Sequence, residues 1–444
     1  MMLKPLKTIA AAAFGCAIAL PTLQAANLSD AVAADYQSHL APLFDYFHRN
    51  PELSGMEIKT AARLAKELRD AGFEVTEGVG GTGVVAMMEN GPGPLVMMRA
   101  DMDGLPVEEK SGLENASRAK QIDEDGNEVF VMHACGHDVH ITSLVGTARA
   151  MAERKDQWSG TLMLIGQPAE ERVFGAKMMM EDNLWQRFGQ PDYALAFHVS
   201  SDLEAGKIAV TDESPYSGAD TVDIIVHGVG AHGASPHRGV DPVLLGSQIV
   251  VALQNIISRE KAPRYAGVIT VGSFHAGTKH NIISDRAHLQ LTVRNDDLET
   301  RQLLLDGIKR VAENMGRVAG LPEDKLPEVI VSQEWVPPTV NDVPLTQRLR
   351  KTWIEKLGAE ALASPERRKG MGAEDFPFFT TEPYIPSTYF SVGGTPKADF
   401  EREQAGGPAV PSHHSPLFKI SPEPAVTTGV EATVTALLEL LQAP

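Results

Sequence analysis

The sequence contains only two cysteines, Cys16 and Cys135, among its 444 residues. The first lies in an apolar N-terminal segment that we expect to be removed, so the mature chain would hold one thiol and no internal disulfide. A lone thiol in an oxidising compartment is a liability unless it is buried or bound to a metal. Structural zinc sites usually use four protein ligands and often several thiolates, so a single cysteine favours a catalytic metal site.

Positive charge is also scarce. Asp and Glu number 58 against 40 Lys and Arg, and the formal net charge is −18. This balance argues against duplex nucleic acid as a partner and says little about the substrate. The apolar fraction of 43% and the charged fraction of 22% are ordinary for a soluble globular protein. The length exceeds one ordinary core and indicates two or three domains.

The N-terminal segment has the pattern of a secretory signal peptide. Two lysines precede an apolar run at 9–20, and small residues near Ala25 offer a cleavage site. No later apolar stretch reaches the length of a membrane span. We therefore expect residues 1–25 to be removed and the mature protein to be exported, periplasmic or secreted, and free of the membrane. A lipoprotein anchor at Cys16 fits less well, because this residue lies within the apolar run.

The densest group of candidate metal ligands is the segment 132–140, Met-His-Ala-Cys-Gly-His-Asp-Val-His. Cys and His are the commonest sulfur and nitrogen ligands of zinc-like metals. Cys135 and His137 are two residues apart, so on an extended or tightly turned backbone both can reach one site. Gly136 lets the backbone approach a bound group closely. For this segment alone, a buried thiol beside surface histidines is the simpler interpretation.

Further candidates follow predicted core strands. One strand leads into Glu170 and Glu171, and the next leads into His198. Adjacent carboxylates on a non-helical backbone diverge, so one can bind a metal while the other acts as a base. An acidic helix N-terminus is the structural alternative for this pair. Because the Cys135–His137 loop also follows a predicted strand, three successive strand ends deliver ligands, and this repetition favours a metal site.

Two other carboxylates, Asp101 and Asp103, follow a strand predicted at 95–98. Open α/β sheets hold their sites at the carboxyl ends of strands, but a solvated turn explains this pair equally well. Asp138 is similarly ambiguous, because it could simply cap the helix predicted at 138–153.

The order of predicted elements indicates an α/β protein with an insertion. We expect residues 26–217 and 333–444 to form one catalytic domain, with a mixed sheet and α-helices on both faces. Residues 218–332 carry elements in the order strand, helix, strand, strand, helix, strand, which is the ferredoxin-like α+β pattern. A segment of about a hundred residues is large enough to be a domain of its own.

The motifs together resemble the dinuclear-metal aminoacylase/carboxypeptidase family. They are most similar to its amidohydrolase branch of hippurate hydrolases, N-acyl-amino-acid amidohydrolases and indole-acetyl-amino-acid hydrolases. The matching segments occur in family order over nearly all of the mature chain and are Arg99–Pro106, His133–His140, Pro168–Glu171, His198, Gly230–His237, Asn281, Met371–Phe376 and His414–Phe418. The polar segment at 115–130 is longer than the family pattern, which leaves the acyl-group preference open.

The resemblance implies two divalent ions per chain. Zinc suits the mixed ligand set best, with manganese or cobalt as alternatives. The implied ligands are Cys135, His137, Glu171, His198 and His414. His413 is adjacent to the last of these and is an alternative to it.

The resemblance also implies roles for residues around the metals. Glu170 would be the general base, and Asp101 and Asp103 would support the ligands. The inserted domain would act as a dimerisation domain and lid, so that His232 of the partner subunit of a homodimer stabilises the oxyanion. The substrate carboxylate or the tetrahedral intermediate would be held by two further residues, Asn281 and Arg294.

The expected reaction is hydrolysis of an N-acyl or N-aroyl amino acid to a carboxylic acid and a free amino acid. A dipeptidase or carboxypeptidase acting on small peptides is the alternative among enzymes. An exported metal- or amino-acid-binding protein without catalysis is the alternative from another class. Glu170 distinguishes these, because binding needs only ligands whereas hydrolysis needs a carboxylate beside them.

Overall fold

The structure, a computed structural model, describes residues 27–364, 368 and 370–442. The predicted signal peptide at 1–25, including Cys16, lies outside these residues. Within the described ranges, no helix combines the length and the apolar character that a membrane span requires.

The described chain forms fifteen strands and twelve α-helices. The strands are β1 Glu74–Val79, β2 Gly83–Asn90, β3 Leu95–Asp101, β4 Lys120–Ile122, β5 Glu128–Phe130, β6 Gly160–Gln167, β7 Tyr193–Glu204, β8 Ile208–Ala209, β9 Gly218–His227, β10 Ala231–His232, β11 Gly267–Ala276, β12 Ile282–Ile283, β13 Arg286–Asn295, β14 Glu328–Val336 and β15 Ser387–Thr395. The helices are α1 Leu28–Asp35, α2 Ala41–Arg49, α3 Ile58–Asp70, α4 His137–Ala152, α5 Gly175–Glu181, α6 Leu184–Phe188, α7 Pro242–Asn255, α8 Leu298–Val318, α9 Val343–Leu357, α10 Pro377–Thr380, α11 Lys397–Gln404 and α12 Pro422–Leu440.

Seven strands form the larger sheet in the order β1-β2-β6-β3-β7-β15-β8. β3 pairs in parallel with β6 and β7, and β7 pairs in parallel with β15. β1, β2 and β8 add to this core in antiparallel fashion. Parallel strands are usually covered on both faces, so their sequences read as continuous apolar runs, as at residues 96–98. The predicted mixed sheet is confirmed.

Apolar cores lie on both faces of the larger sheet. Successive residues of a strand point to opposite faces. Val84 and Ala86 of β2 therefore pack in one core with α4 and α12, whereas Val85 packs in the other with α5 and α10. The predicted cover of helices on both faces is confirmed.

The smaller sheet has four antiparallel strands in the order β11-β13-β9-β14. α7 and α8 pack on one of its faces, where Leu289 and Leu291 of β13 are buried. Gln290, between them in sequence, is exposed and points to the opposite face. Helix α7 begins with a clear signal, since Asp241 accepts a hydrogen bond from the backbone N–H of Val243. The chain order β9, α7, β11, β13, α8, β14 confirms the predicted ferredoxin-like pattern.

Two neighbouring segments join the sheets. Tyr216, just before β9, forms a β-bridge with Thr339, just after β14. β14 continues to Val336, so the smaller sheet extends past the boundary predicted at 332. The division of the chain into domains at 217 and 332 stays a prediction.

Candidate metal centre and active site

The Cys135 loop is positioned by the start of α4. The strand predicted at 129–132 is not in the larger sheet, because β5 ends at Phe130 and pairs with β4 in a separate hairpin. The ligand pair therefore follows a strand, as predicted, but that strand belongs to the hairpin and not to the larger sheet. Gly136 is the N-cap of α4, with a φ of 88°. A Cβ there would lie 2.4 Å from Cγ1 of Val199, so both the backbone conformation and the available space require glycine.

His198 lies in the middle of β7 rather than at its end. β7 continues to Glu204 along β15, so the prediction of a strand-end histidine is wrong. The imidazole nevertheless reaches the Cys135 loop, where its Nε2 lies 3.4 Å from Sγ of Cys135. Its Nδ1 donates to the carbonyl oxygen of Val199 at 2.7 Å. This bond fixes the tautomer that leaves Nε2 as a lone-pair donor for a cation.

Glu170 and Glu171 lie on a tight turn after β6. Ala169, directly before the two glutamates, and Val173, two residues after them, have left-handed φ angles of 50° and 54°. Oε2 of Glu170 and Oε1 of Glu171 lie 3.8 and 3.9 Å from Nε2 of His137. The turn therefore brings both carboxylates to one imidazole.

His414 completes the group from the loop before α12. Its φ is 65°, and its backbone N–H donates to the carbonyl oxygen of Ala134 at 2.8 Å. Its Nε2 lies 3.3 Å from Oε2 of Glu171. His413 is engaged elsewhere, because its Nε2 accepts from the backbone N–H of Ser201 at 3.1 Å. This geometry favours His414 over His413 as the ligand.

The cluster leaves ligand atoms without partners. Among the described residues, Nε2 of His137 and Oε1 of Glu171 are buried and make no hydrogen bond. Leaving such groups unpaired is unfavourable, so the arrangement points to a bound cation. Three overlapping sets place their ligand atoms within 4.8 Å of one another: Cys135 with His137 and His198, Cys135 with Glu171 and His414, and His137 with Glu170 and Glu171. Shared sulfur, nitrogen and oxygen donors of this kind fit two divalent cations.

Buried carboxylates lie behind the histidines. Nδ1 of His137 donates to Oδ1 of Asp103 at 3.2 Å. His140 hydrogen-bonds Asp101 through Nδ1, and its Nε2 accepts from the backbone N–H of Val199 at 2.8 Å. Both nitrogens of His140 are therefore occupied, although it lies near His137. We interpret it as a supporting residue rather than a ligand.

A buried ion network lies behind Glu170. The guanidinium of Arg99 contacts Asp101, Glu374 and Asp375 at 2.6, 2.8 and 3.2 Å. Burial, followed by the negative charge of Glu374, raises the pKa of Glu170 well above its usual range. Bound cations act in the opposite direction, because they favour the ionised carboxylate.

Burial also opposes the ionisation of two candidate metal ligands, Glu171 and Cys135. Burial, rather than any neighbour, is the main reason that the pKa of Glu171 is raised to about 7. Burial and the charge of Glu171 also raise the pKa of the Cys135 thiol. A thiol and a carboxyl must lose their protons to bind a metal, so we expect metal binding at this cluster to release protons.

Comparison with known proteins shows which family the chain belongs to. The model of peptidase family M20/M25/M40 matches residues 97–406. The chain belongs to this family. It is 36% identical over 372 residues to thermostable carboxypeptidase 2 of Saccharolobus solfataricus. This alignment covers 83% of this chain and 87% of the relative. It is 34% identical over 346 residues to hippurate hydrolase of Campylobacter jejuni, over 78% of this chain and 86% of the relative.

A solved structure of the M20 family has the same fold. It is a Bacillus subtilis protein described as a dinuclear metal-binding peptidase, with a TM-score of 0.73 and 26% identity over 93% of this chain and 99% of that one. The M20 chain described here is accordingly a metal-dependent hydrolase that acts on amide or peptide bonds.

Three residues with predicted roles lie apart from the cluster. His232 on β10 is exposed, and its Nδ1 accepts from the backbone N–H of Ala234 at 3.0 Å. Asn281 is its neighbour, because β10 pairs with β12, and Arg294 lies on β13. In the part of the chain that the structure describes, no hydrogen bond or ion pair joins these three to the ligands. Their catalytic and substrate-binding roles stay predictions.

Several buried acids around the M20 site were not assigned roles from the sequence. Glu374 and Asp375 fall in a segment that carried the resemblance, and an acidic pair next to the apolar residues at 376–379 was the available signal. Glu57 is fully buried but resembles an ordinary helix start in sequence. Asp138 does not cap α4 as considered above, because α4 begins one residue earlier, and its Oδ2 contacts Nδ1 of His48 at 2.7 Å.

Proposed function

We propose that the enzyme hydrolyses the amide bond of N-acyl or N-aroyl amino acids, releasing a carboxylic acid and a free amino acid. The observation that carries this proposal is Glu170, a buried carboxylate that lies next to the ligand cluster and against Glu374 and Asp375. A site that only bound metal or amino acid would have no use for it. A hydrolase needs such a group to move a proton.

The residues that would hold two divalent ions are Cys135, His137, Glu171, His198 and His414. Their mixed donor set suits zinc best, with manganese or cobalt as alternatives. When bound, such ions lower the pKa of a water molecule, to about 7 for zinc, and polarise the amide carbonyl.

The protein's own residues then move the proton and the charge. Glu170 accepts a proton from the attacking water and returns it to the leaving amine nitrogen. His232 of the partner subunit donates to the carbonyl oxygen as negative charge develops there. The substrate carboxylate is held by Asn281 and Arg294. Asp101 and Asp103 keep the ligands oriented.

A homodimer is part of this proposal. His232 and Asn281 are exposed and make no contact with the ligands of their own chain among the described residues, so a second subunit or a closing movement has to bring them to a substrate. The exposed side of α7 supports a subunit contact, since Val251 there is 74% exposed. The leader pattern at residues 1–25 supports export to the periplasm or the medium.

The choice of substrate rests on relatives. Hippurate is an N-aroyl amino acid, and the Campylobacter jejuni relative is named for its hydrolysis. A carboxypeptidase or dipeptidase activity on small peptides is the second candidate, and the Saccharolobus solfataricus relative favours it.

The proposal is tested with the purified mature protein, supplied with zinc, manganese or cobalt, on a panel of N-acyl amino acids and dipeptides. We expect faster turnover of the N-acyl amino acids. Glu170→Gln should keep the metals and the fold but lose most turnover, because an amide cannot accept the proton. Faster turnover of dipeptides would favour the second candidate, and full turnover by Glu170→Gln would overturn the mechanism. If Glu171→Gln keeps the metals and Glu170→Gln releases them, the two roles are reversed.

A further inference from the structure

The turn that carries Glu170 and Glu171 is held in an unfavourable backbone conformation. Ala169 and Val173 are both left-handed, and Val173 is also β-branched. Residues with a Cβ rarely adopt this conformation unless the surrounding structure fixes it. The residues after the turn also lie very close to those before it, because a Cβ at Gly175 would lie 1.7 Å from the carbonyl oxygen of Pro168. Contacts from elsewhere in the chain must therefore hold the turn.

Three buried carboxylates supply those contacts by accepting backbone N–H groups. The pairs are Glu57 with Ala169 at 2.8 Å, Asp103 with Glu171 at 3.0 Å, and Asp375 with Ala176 at 2.9 Å. The acceptors come from three separate segments of the chain. The path of the turn is thus set by tertiary structure and not by its own sequence.

Glu57 differs from the other two acceptors in its surroundings. Asp103 also binds His137, and Asp375 also binds Arg99, so replacing either would disturb several contacts at once. Among the described residues, the side chain of Glu57 makes no hydrogen bond to a candidate ligand or to Arg99, and its partners other than Ala169 are Gly55 and Thr82. Glu57 is the N-cap residue of α3, yet its side chain makes no hydrogen bond to that helix.

The carboxylate of Glu57 reaches across to the turn instead. Its Oε1 accepts from the N–H groups of Gly55 and Ala169, and its Oε2 accepts from the hydroxyl of Thr82. Burial, followed by the charge of Asp103, raises the pKa of Glu57 to about 7. The fold therefore buries the Glu57 carboxylate, although burial disfavours its charge, at the position where it can bind the N–H of Ala169, the residue before Glu170.

We propose that Glu57 is a positioning residue that directs Glu170 and Glu171 through the N–H of Ala169. This inference rests on the proposed role of Glu170 as general base. Without the Glu57 carboxylate, Ala169 can relax out of the left-handed conformation and rotate the following peptide groups. Glu170 would then be displaced from the attacking water, and Glu171 from the metals.

Glu52 provides a matched control. It is also a buried carboxylate near the start of α3, at 9% exposure. Its Oε2 accepts from the backbone N–H groups of Lys59 and Thr60, both at 2.8 Å, so it serves the first turn of the helix. Glu52→Ala therefore removes a similar buried acceptor without touching the turn at 169–173.

The experiment compares Glu57→Ala, Glu57→Gln and Glu52→Ala with the wild type. It measures kcat, KM, the thermal midpoint and the visible absorption of the cobalt-substituted protein. Glu57→Ala should lower kcat by about 10–100-fold, as changes behind metal ligands do, with little change in KM. It should also shift the cobalt absorption bands, because Glu171 lies on the same turn. Glu57→Gln should restore much of kcat, since its amide oxygen can still accept from Ala169.

Glu52→Ala should lower the thermal midpoint but leave kcat and the cobalt spectrum unchanged. If Glu57→Ala behaves in the same way, Glu57 only stabilises the fold and the inference is wrong. If Glu57→Ala cannot be purified, Glu57→Asp and Glu57→Gln decide. In Glu57→Asp the side chain keeps its charge but is too short to reach the N–H of Ala169. In Glu57→Gln the side chain loses its charge but is long enough to accept that hydrogen bond. The inference requires the lower kcat for Glu57→Asp, and the opposite order overturns it.

Glu170→Gln, measured in parallel, separates this inference from the proposed function. Turnover by that variant at the wild-type rate would refute the role of Glu170, whatever Glu57 does. An inactive Glu170→Gln together with wild-type kcat and spectrum in the Glu57 variants would refute the inference alone.

Discussion

The two sheets hold their candidate site residues in opposite ways. Around the seven-stranded sheet, His137 and Asp103 are 0% and 1% exposed, and their hydrogen bonds are fixed by neighbouring elements. Beside the four-stranded sheet, His232 and Asn281 are exposed. A buried group can be oriented before the substrate arrives, which makes its electrostatic effect available without rearrangement. An exposed group can contribute only after something covers it. Changes near the first sheet should thus alter metal content and kcat, and changes near the second should leave the metals in place.

The largest effect is expected from the ligands. Cys135→Ser, Glu171→Gln and His414→Gln should each lower metal content from about two ions per chain and abolish most activity, because each removes a donor from the shared cluster. Elemental analysis after remetallation measures this. His413→Gln is the matched control and should keep both ions, since His413 binds the backbone of Ser201 instead. Full activity with no more than one ion per chain would contradict the two-metal centre.

The next largest effect is expected from His232. His232→Ala should lose about 10²–10³-fold in kcat, as removal of one oxyanion donor does, while metal content is unchanged. Equal mixing of His232→Ala and Glu170→Gln subunits should restore up to about a quarter of wild-type activity, because half of the dimers are mixed and each has one intact site. No restoration would mean that His232 serves its own chain. Wild-type turnover by His232→Ala would remove it from the mechanism.

A smaller effect is expected from Arg294. Arg294→Gln should raise KM by about tenfold or more, since hydrogen bonds to charged groups contribute about 1.5–3 kcal/mol. Steady-state kinetics on the best substrate measures it. Arg286→Gln is the control, because Arg286 lies on the same strand and the same face of the sheet. Equal KM values for the two variants would argue against a substrate contact at Arg294.

The smallest effect is a pH dependence of stability at His48. Burial lowers the pKa of this imidazole, but hydrogen bonds to Asp138 and Glu109 outweigh burial and raise it to about 10. A raised histidine pKa stabilises the fold below the ordinary value of 6.5, and this contribution is lost as the pH rises through about 10. The free energy of unfolding of His48→Gln should therefore differ most from wild type near about pH 6 and least near about pH 10. A constant difference in denaturant titrations would contradict the assigned charge.

The elements predicted from local patterns agree with the structure. The helix predicted at 138–153 is α4, which spans His137–Ala152, because helix formation depends largely on neighbouring residues. The errors fall where long-range pairing decides. The apolar run at 193–197 marks a buried strand, but its continuation past His198 depends on β15, which lies almost two hundred residues later in the chain.

The same distinction applies to the site. Cys135 and His137 could be found because their spacing is short, and Glu170 and Glu171 because they are adjacent. The contact between Glu57 and Ala169 joins residues 112 positions apart. Arg99 and Glu374 are 275 apart. Such partners leave no periodic or short-range signal, so only the folded chain reveals them.

The bridge between Tyr216 and Thr339 has a consequence for how this chain could be built. All seven strands of the larger sheet and all five proposed ligands lie outside residues 218–336. The segment that forms the smaller sheet begins and ends next to this bridge, so its two ends are already paired. A short linker at that point would reconnect the larger sheet without stretching it. None of the strands of the larger sheet therefore comes from the segment that carries His232.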